Sequence, residues 1–258
     1  MLIDTHCHFN HARFADDLAE TMARATQAGV SQMVVVGFDL ASSEQAVLLS
    51  EQHPGVLFAA IGIHPHDAKD WDEAAASRLR LLADLPHVIA IGEIGMDFHH
   101  NFSPREAQET AFRAQMRIAR ESELPVIIHC REAYPETLQI LSEEGADDAG
   151  GVMHCWAGTP QQAAETVALG LALGFGGTLT FKNAEDIRIA ARNSPLESLL
   201  LETDAPYLTP MPHRSKRNEP AYTRLVAEKL AELRGLSFPE IATLTTANAR
   251  RVFPRLTL

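Results

Sequence analysis

Four histidines and two carboxylates of this 258-residue chain lie at or close to the ends of short apolar runs. They are His6, His8, Glu93, His129, His154 and Asp204. Imidazole and carboxylate ligands together suit borderline divalent cations such as Zn²⁺ or Mn²⁺, and Mg²⁺ also accepts carboxylates. The residue types therefore predict a metal centre that is built from distant parts of the chain.

His6 and His8 are separated by one residue, Cys7. Side chains two positions apart on a strand point to the same face, so both imidazoles can reach one cation while Cys7 faces the helices. The same parity applies to Cys130 and Cys155, and we interpret all three cysteines as small buried apolar residues. Three widely spaced cysteines give no disulfide framework and favour a reducing compartment.

Six ligands are more than one cation needs, whereas two cations about 3.5–4 Å apart would use all of them. Glu93 lies between the two groups of ligands along the chain and is predicted to bridge the pair. Such a pair activates water for hydrolysis, and Asp204 is predicted to accept the proton that this water loses. Because the loaded site would carry positive charge, the ligand set favours an anionic substrate.

Short apolar runs alternate with longer amphipathic stretches along the chain. The apolar runs predict eight strands, at residues 2–5, 32–36, 57–61, 88–91, 126–128, 151–153, 171–175 and 199–201. Helical patterns cover residues 14–28, 41–52, 72–83, 105–120, 133–143, 161–169, 221–233 and 239–252. This alternation indicates parallel strands joined by helical crossovers.

We therefore predict an α/β fold, a (β/α)₈ TIM-type barrel, with residues 1–258 forming a single metal-dependent hydrolase domain. About 250 residues is the usual length of such a barrel. The alternative, an open doubly wound sheet, has a glycine-rich phosphate turn after its first strand, which this sequence lacks. Active sites of barrels lie at the C-terminal strand ends, so the six ligands should converge there.

Charge and hydropathy argue against several classes of protein. The formal net charge of −12 does not suit a protein that coats nucleic acid or an anionic membrane with its general surface. The N-terminus does not read as a signal peptide, and the longest apolar run, residues 167–177, is too short to span a bilayer. We expect a cytoplasmic protein without membrane association or an obligate protein partner.

As a set, several motifs resemble the TatD-like metal-dependent deoxyribonucleases, within the wider group of amidohydrolase-type barrels. They are DTHCH at 4–8, GIHPH at 62–66, GEIGMD at 92–97, IHCR at 128–131, MHCWAG at 153–158, LETDAPY at 201–207, RNEP at 217–220 and TANA at 246–249. The resemblance covers nearly the whole chain, and no ligand is missing. Met96 and Trp156 stand where Leu and Phe are expected, but neither is a proposed ligand.

The resemblance divides the ligands between two metals: His6, His8, Glu93 and Asp204 for one, and Glu93, His129 and His154 for the other. It implies two divalent ions per chain (Mg, Mn or Zn) and hydrolysis of DNA phosphodiester bonds, with a single strand or a 3′ end as substrate. The leading hypothesis is a 3′–5′ exodeoxyribonuclease. Two alternatives stay open: an amidohydrolase-like hydrolase of a small ester, lactone or amide, and a non-catalytic protein that keeps the barrel.

Four further residues are predicted to contact the substrate: His64, Arg131, Glu202 and Arg217. His64 follows the third predicted strand and is either a phosphate contact or a turn residue. Arg131 is two residues past His129, on the same side, and could make a forked contact with phosphate. Glu202 should face inward one layer below Asp204, where it would orient a ligand histidine or pair with Arg131.

The basic loop at residues 214–217 contains Arg217 and is either a phosphate contact or a solvated surface segment. Asn218, close before Pro220, is predicted to cap the following helix.

Four more side chains could belong to the rim. Tyr207 and Trp156 either stack on nucleic acid bases or pack against the protein. His66 and Asp97 are interpreted as parts of loops.

Overall fold

Eight parallel strands form one sheet in the computed structural model, which describes residues 1–257. The strands are β1 (Leu2–Cys7), β2 (Val30–Val36), β3 (Leu57–Ile61), β4 (Val88–Asp97), β5 (Val126–Arg131), β6 (Gly151–Met153), β7 (Ala172–Phe175) and β8 (Leu199–Leu201). Their order in the sheet is their order in the chain. A parallel bridge between Cys7 and Ala205, and a 3.0 Å hydrogen bond from Thr5 Oγ1 to the carbonyl of Leu201, join the two edges. The predicted (β/α)₈ barrel is confirmed.

Helices follow the strands and form the outer layer. They are α1 (Leu18–Gln27), α2 (Leu40–Gln52), α3 (Glu73–Ala83), α4 (Arg105–Glu121), α5 (Tyr134–Glu143), α6 (Ala146–Ala149), α7 (Pro160–Ala168), α8 (Glu185–Asn193), α9 (Thr223–Arg234) and α10 (Phe238–Val252). Short 3₁₀ helices occupy several connections: Ala12–Phe14, Pro65–Asp70, Gly177–Thr180, Leu196–Ser198, Pro220–Tyr222 and Pro254–Thr257. No helix within residues 1–257 is both long enough and apolar enough to cross a membrane.

Two strands run well past their predicted ends, because β4 continues to Asp97 and β5 to Arg131. Glu93 and His129 therefore lie within strands, and so does His6, because β1 continues to Cys7. The predicted strand ends at residues 5, 91 and 128 are too early. The apolar runs mark only the part of each strand that lies in apolar surroundings, whereas the hydrogen-bonded ladder continues into the polar mouth of the barrel.

Helix α8 lies between β7 and β8, outside the helical patterns given above. It is nine residues long, and its buried residues are Ala190 and Ala191. The segment is short and mostly polar, with Ile187 and Ile189 as its only large apolar residues, so it offers too few apolar positions for a helix to be predicted from them.

The barrel interior is apolar towards the N-terminal strand ends. Inward residues of successive strands, among them Val34, Phe58 and Ile127, share one buried cluster with Phe253 and Leu256 from the C-terminal segment. A larger cluster fills the space between the strands and the surrounding helices. The opposite end of the interior carries histidines and carboxylates. The apolar residues that stabilise the barrel and the polar residues of the candidate site therefore lie at opposite ends of the strands.

Candidate metal centre

Strands β1 and β4 and the segment after β8 bring the first group of predicted ligands together. The Nε2 atoms of His6 and His8 are 3.2 Å apart. Glu93 Oε2 lies 3.3 Å from His6 Nε2, and Asp204 Oδ1 lies 3.3 Å from His8 Nε2. Ligand atoms of β1, β4 and the segment after β8 thus surround one small volume.

The second group faces the other oxygen of Glu93. Its Oε1 atom lies 2.8 Å from His129 Nδ1 and 2.8 Å from His154 Nε2. One carboxylate therefore stands between two sets of ligand atoms, with one oxygen towards each. This is the arrangement that a bridging ligand requires.

For His8 and His129, hydrogen bonds on the far side of the imidazole determine which nitrogen faces the centre. His8 Nδ1 lies 2.9 Å from the carbonyl oxygen of Val36, which can only accept, so Nδ1 carries the proton and the Nε2 lone pair faces inward. His129 Nε2 lies 3.2 Å from Asp97 Oδ2, which leaves Nδ1 for the centre. Histidines that bind metals are commonly held in this way by a carbonyl or a carboxylate.

The charges of the centre also fit divalent cations. Burial raises the pKa of Glu93, but His154, His64 and His129 outweigh it and hold that pKa well below its usual value. Burial likewise raises the pKa of Asp204, but His8, His6 and His154 together outweigh this effect and lower that pKa, so the carboxyl is also ionised. Two buried carboxylates among imidazole nitrogens require positive charge, and the donor set therefore fits divalent ions.

Asp204 is held in an unusual backbone conformation. Its φ is 57°, in the left-handed region that residues other than glycine rarely adopt. Its N–H donates to the carbonyl of His6 at 2.9 Å. The Nδ2 group of Asn218 donates to the carbonyls of Thr203 (2.8 Å) and Tyr207 (2.6 Å), on either side of Asp204. The prediction that Asn218 caps a helix is wrong, because its amide instead fixes the segment that presents Asp204.

His64 lies in the site and provides a hydrogen-bond donor. It is buried, and its Nδ1 accepts the backbone N–H of His66 at 3.1 Å, which leaves the proton on Nε2. That Nε2 lies 3.4 Å from Glu93 Oε1. Burial and the neighbouring His129 lower the pKa of His64 to about 3, so the ring is neutral. His64 therefore presents one N–H to the second group of ligands.

Glu202 and Arg131 lie at different depths. Glu202 is fully buried, accepts the N–H of Cys155 at 2.5 Å through Oε1, and places this oxygen 3.5 Å from His154 Nδ1. Arg131 is exposed, and its guanidinium has no hydrogen bond or ion pair in the part of the chain that is described. The alternative that Glu202 pairs with Arg131 is wrong, whereas contact with a ligand histidine matches the geometry.

Arg217 is already engaged within the protein. Its Nη1 and Nη2 donate to the two carboxylate oxygens of Asp17 at 2.8 and 2.7 Å, and its guanidinium lies over the ring of Phe14. A phosphate contact by Arg217 would have to replace this ion pair.

The two rim aromatics differ in exposure. Trp156 is fully buried and packs against Tyr134, so of its two alternatives the structure shows packing against the protein. Tyr207 is 47% exposed, and its ring lies 6.3 Å from that of His8. Stacking by Tyr207 stays a prediction.

The interpretation of Asp97 as a loop residue is wrong, because it ends β4 and is fully buried. Its Oδ2 lies 2.9 Å from His66 Nε2 and 2.9 Å from His100 Nδ1. His100 was not predicted from the sequence. The position of Asp97 could have been predicted from its spacing to Glu93, because residues four apart on a strand share a face.

Comparisons with known proteins agree over nearly the full length. The family model for TatD related DNase matches residues 3–254. The metal-dependent hydrolase YabD of Bacillus subtilis is 44% identical over 253 residues, which cover 98% of this chain and 99% of YabD. The 3′-5′ ssDNA/RNA exonuclease TatD of Erwinia tasmaniensis is 38% identical over 257 residues, which cover 98% of this chain and 99% of that protein.

Solved structures agree with the fold. YJJV, a TatD homolog from Escherichia coli K12, superimposes with a TM-score of 0.92 at 32% identity, and the match covers 98% of both chains.

Proposed function

The chain belongs to the TatD related DNase family and is a metal-dependent hydrolase, and we propose that it uses two divalent ions to cleave DNA phosphodiester bonds from a 3′ end. The observation that carries this proposal is the position of Glu93. Its two carboxylate oxygens face separate groups of ligand atoms, at 3.3 Å from His6 and at 2.8 Å from His129 and His154. A single-ion site would not need this division.

We assign His6, His8, Glu93 and Asp204 to one ion, and Glu93, His129 and His154 to the other. Two divalent ions held there would lower the pKa of water and stabilise the charge that develops on a phosphoryl oxygen. Residues 1–258 would act as one catalytic domain.

Asp204 is the carboxylate we assign as proton acceptor. Its side chain is 15% exposed, compared with 5% for Glu93, so it lies nearer the open mouth. Its left-handed backbone and the Asn218 hydrogen bonds hold it in place. An ionised carboxylate at this position can accept the proton that water loses during attack on phosphorus.

Two groups are available for the substrate phosphate. His64 is neutral with its proton on Nε2, so it can donate one hydrogen bond without adding charge. Arg131 ends β5, beyond His129, and its guanidinium is exposed without an ion partner among residues 1–257. We assign Arg131 to a phosphate next to the cleaved bond, where a planar guanidinium can make two hydrogen bonds.

The substrate is best matched by a single-stranded 3′ end. The Erwinia relative is named a 3′-5′ ssDNA/RNA exonuclease, which supports this choice. The net charge of −12 also favours a small contact with a strand end over an extended contact with duplex DNA, because a wide negative surface would repel the phosphate backbone. No observation on this chain favours the small ester, lactone or amide alternative.

The test is digestion of 5′-labelled single-stranded DNA with Mg²⁺, Mn²⁺ or Zn²⁺. We expect a ladder that shortens from the 3′ end, stops with a chelator and is absent in the His129→Ala variant. The His53→Ala variant, which changes a histidine outside the centre, should keep the wild-type ladder. Intact DNA with fully metal-loaded protein, together with turnover of small esters or lactones, would reverse the assignment.

A further inference from the structure

A second cluster of ligand atoms lies beside the proposed two-metal centre. It consists of His66, Asp97 and His100, whose ligand atoms all lie within 4.8 Å of one another. Asp97 Oδ2 is 2.9 Å from His66 Nε2 and 2.9 Å from His100 Nδ1. None of these three residues belongs to the ligand set assigned above.

Asp97 has more nitrogen neighbours than its lone pairs can accept. Its Oδ1 already accepts the backbone N–H groups of His99 (2.9 Å) and His100 (2.8 Å). Its Oδ2 faces His66, His100 and also His129 Nε2, at 3.2 Å. A carboxylate oxygen offers about two lone-pair sites. Three ring nitrogens around one oxygen therefore leave at least one nitrogen without a good acceptor.

We propose that His66, Asp97 and His100 form a third cation site, suited to Zn²⁺ or a similar transition-metal ion. A bound cation removes the crowding, because His66 and His100 would then offer lone pairs to the metal instead of N–H groups to Asp97. The spacing fits this role: ligands about 2.0–2.1 Å from a tetrahedral ion are roughly 3.3 Å apart. His129 would keep its hydrogen bond to Asp97.

The site would have an open position for an outside ligand. The side chains of His66 and His100 are 27% and 33% exposed, so the cluster reaches the surface, while Asp97 is buried beneath it. Three protein ligands and an accessible fourth position are typical of a metal that binds substrate, since structural zinc sites have four protein ligands.

The surroundings suggest what this position binds. The exposed ring of Phe102 lies 4.8 Å from the ring of His66. His129 lies between the two-metal centre and the third site, because Nδ1 faces Glu93 and Nε2 faces Asp97. A phosphate oxygen bound to the third ion would thus belong to a nucleotide adjacent to the cleaved bond, with Phe102 available to stack on its base. This role rests on the proposed function, whereas the existence of the site does not.

The site is tested by counting bound Zn²⁺ after equilibrium dialysis of the full chain at micromolar free metal. We expect three ions per chain in the wild type and two in the His100→Phe variant. The matched control is His99→Phe, because His99 is the neighbouring histidine and pairs with exposed Glu132 instead of Asp97. That variant should still bind three ions.

A second variant and a spectroscopic readout keep the count interpretable. The His66→Gln variant should also bind two ions, and circular dichroism should show that all three variants are folded. In Co²⁺-substituted protein, the visible absorbance should saturate at three equivalents in wild type and at two in His100→Phe.

Two outcomes would overturn the inference. Wild-type protein that binds only two ions at micromolar metal, or a His100→Phe variant that retains three, would show that the cluster is a set of hydrogen bonds. Failure of the proposed function is distinguished separately, because DNA digestion by protein with two ions would leave the nuclease assignment intact while refuting the third site.

Discussion

Glu93 is the residue on which both halves of the candidate centre depend. We predict that Glu93→Gln lowers bound metal at micromolar Mn²⁺ from two ions at the main centre to fewer than one. The neutral amide offers one good oxygen instead of two anionic ones, so no bridge forms. Loss of activity should exceed the roughly 100-fold upper range seen when a residue behind a ligand is changed.

Metal analysis and DNA digestion on the same samples check this prediction. The surface variant Glu197→Gln is the control and should behave as wild type. Retention of two ions at the centre by Glu93→Gln would show that its carboxylate is not a bridge.

Glu202 is predicted to act through His154. Glu202 Oε1 lies 3.5 Å from His154 Nδ1 and accepts the N–H of Cys155, so the carboxylate is placed to orient the ligand ring. We expect Glu202→Gln to weaken metal affinity by about 10- to 100-fold. A competition titration against a chromophoric chelator measures this affinity, and the activity lost at low metal should return at high metal. An unchanged affinity would make the role of Glu202 purely structural.

At the residue scale, the sequence predicted which histidines and carboxylates lie together, but it did not predict the partner of every charged side chain. His6, His8, Glu93 and Asp204 could be chosen because strand ends of one barrel share one rim. The engagement of Arg217 could not be predicted, because its partner Asp17 is distant in sequence and no local spacing relates the two.

At the element scale, the Asp17–Arg217 ion pair joins the segment before α1 to the loop after β8. The hydrogen bond from Arg217 lowers the pKa of Asp17 to about 2 in the folded state, compared with 3.8 as its ordinary value. The folded state therefore binds fewer protons than the unfolded state between these two values. The stabilisation is complete above about pH 4 and is lost as the pH falls towards 2.

We predict that Asp17→Asn lowers the free energy of unfolding at pH 7 by under about 1 kcal/mol, as is usual for a partly exposed pair. The difference between wild type and variant should shrink as the pH falls from 4 to 3, and it should also shrink in high salt. Urea unfolding at pH 7, 4 and 3 measures it. A difference that stays constant down to pH 3 would contradict the ion-pair explanation.

The order and type of the elements could be predicted because short apolar runs of three to five residues alternate with helical periodicity. The polar ends of the strands could not be predicted, and β4 is the clearest case. Its predicted end at residue 91 precedes both Glu93 and Asp97, because inward polar side chains interrupt the apolar signal while the backbone ladder continues.

At the scale of the whole molecule, the C-terminal segment closes the end of the barrel opposite the candidate site. Arg255 Nη1 donates to the carbonyl of Val88, the first residue of β4, at 2.7 Å. Phe253 is fully buried in the cluster formed by inward strand residues. The sequence predicted the preceding helix but not the packing of Phe253 and Arg255 at this end of the barrel. A few residues after a helix have no periodicity that would indicate their packing partners.

We predict that Phe253→Ala lowers the free energy of unfolding by about 3–5 kcal/mol, because it leaves a cavity in the interior cluster. Bound metal should be unchanged in the folded variant, since the substitution lies at the other end of the barrel. Urea unfolding and metal analysis check the two parts. Leu81→Ala, at a residue that is 63% exposed, is the control and should change stability by less than about 0.5 kcal/mol.

The most direct test of the central claim is an anomalous difference map from crystals soaked in Mn²⁺. The claim is that one mouth of the barrel holds a pair of divalent ions across Glu93. Around Glu93 we predict two peaks, one on each side of its carboxylate and about 3.5–4 Å apart, with His6 and His8 beside one and His129 and His154 beside the other. A peak at the cluster of His66, Asp97 and His100 would be a separate third ion. A single peak around Glu93, or two peaks that do not share its carboxylate, would contradict the two-metal account.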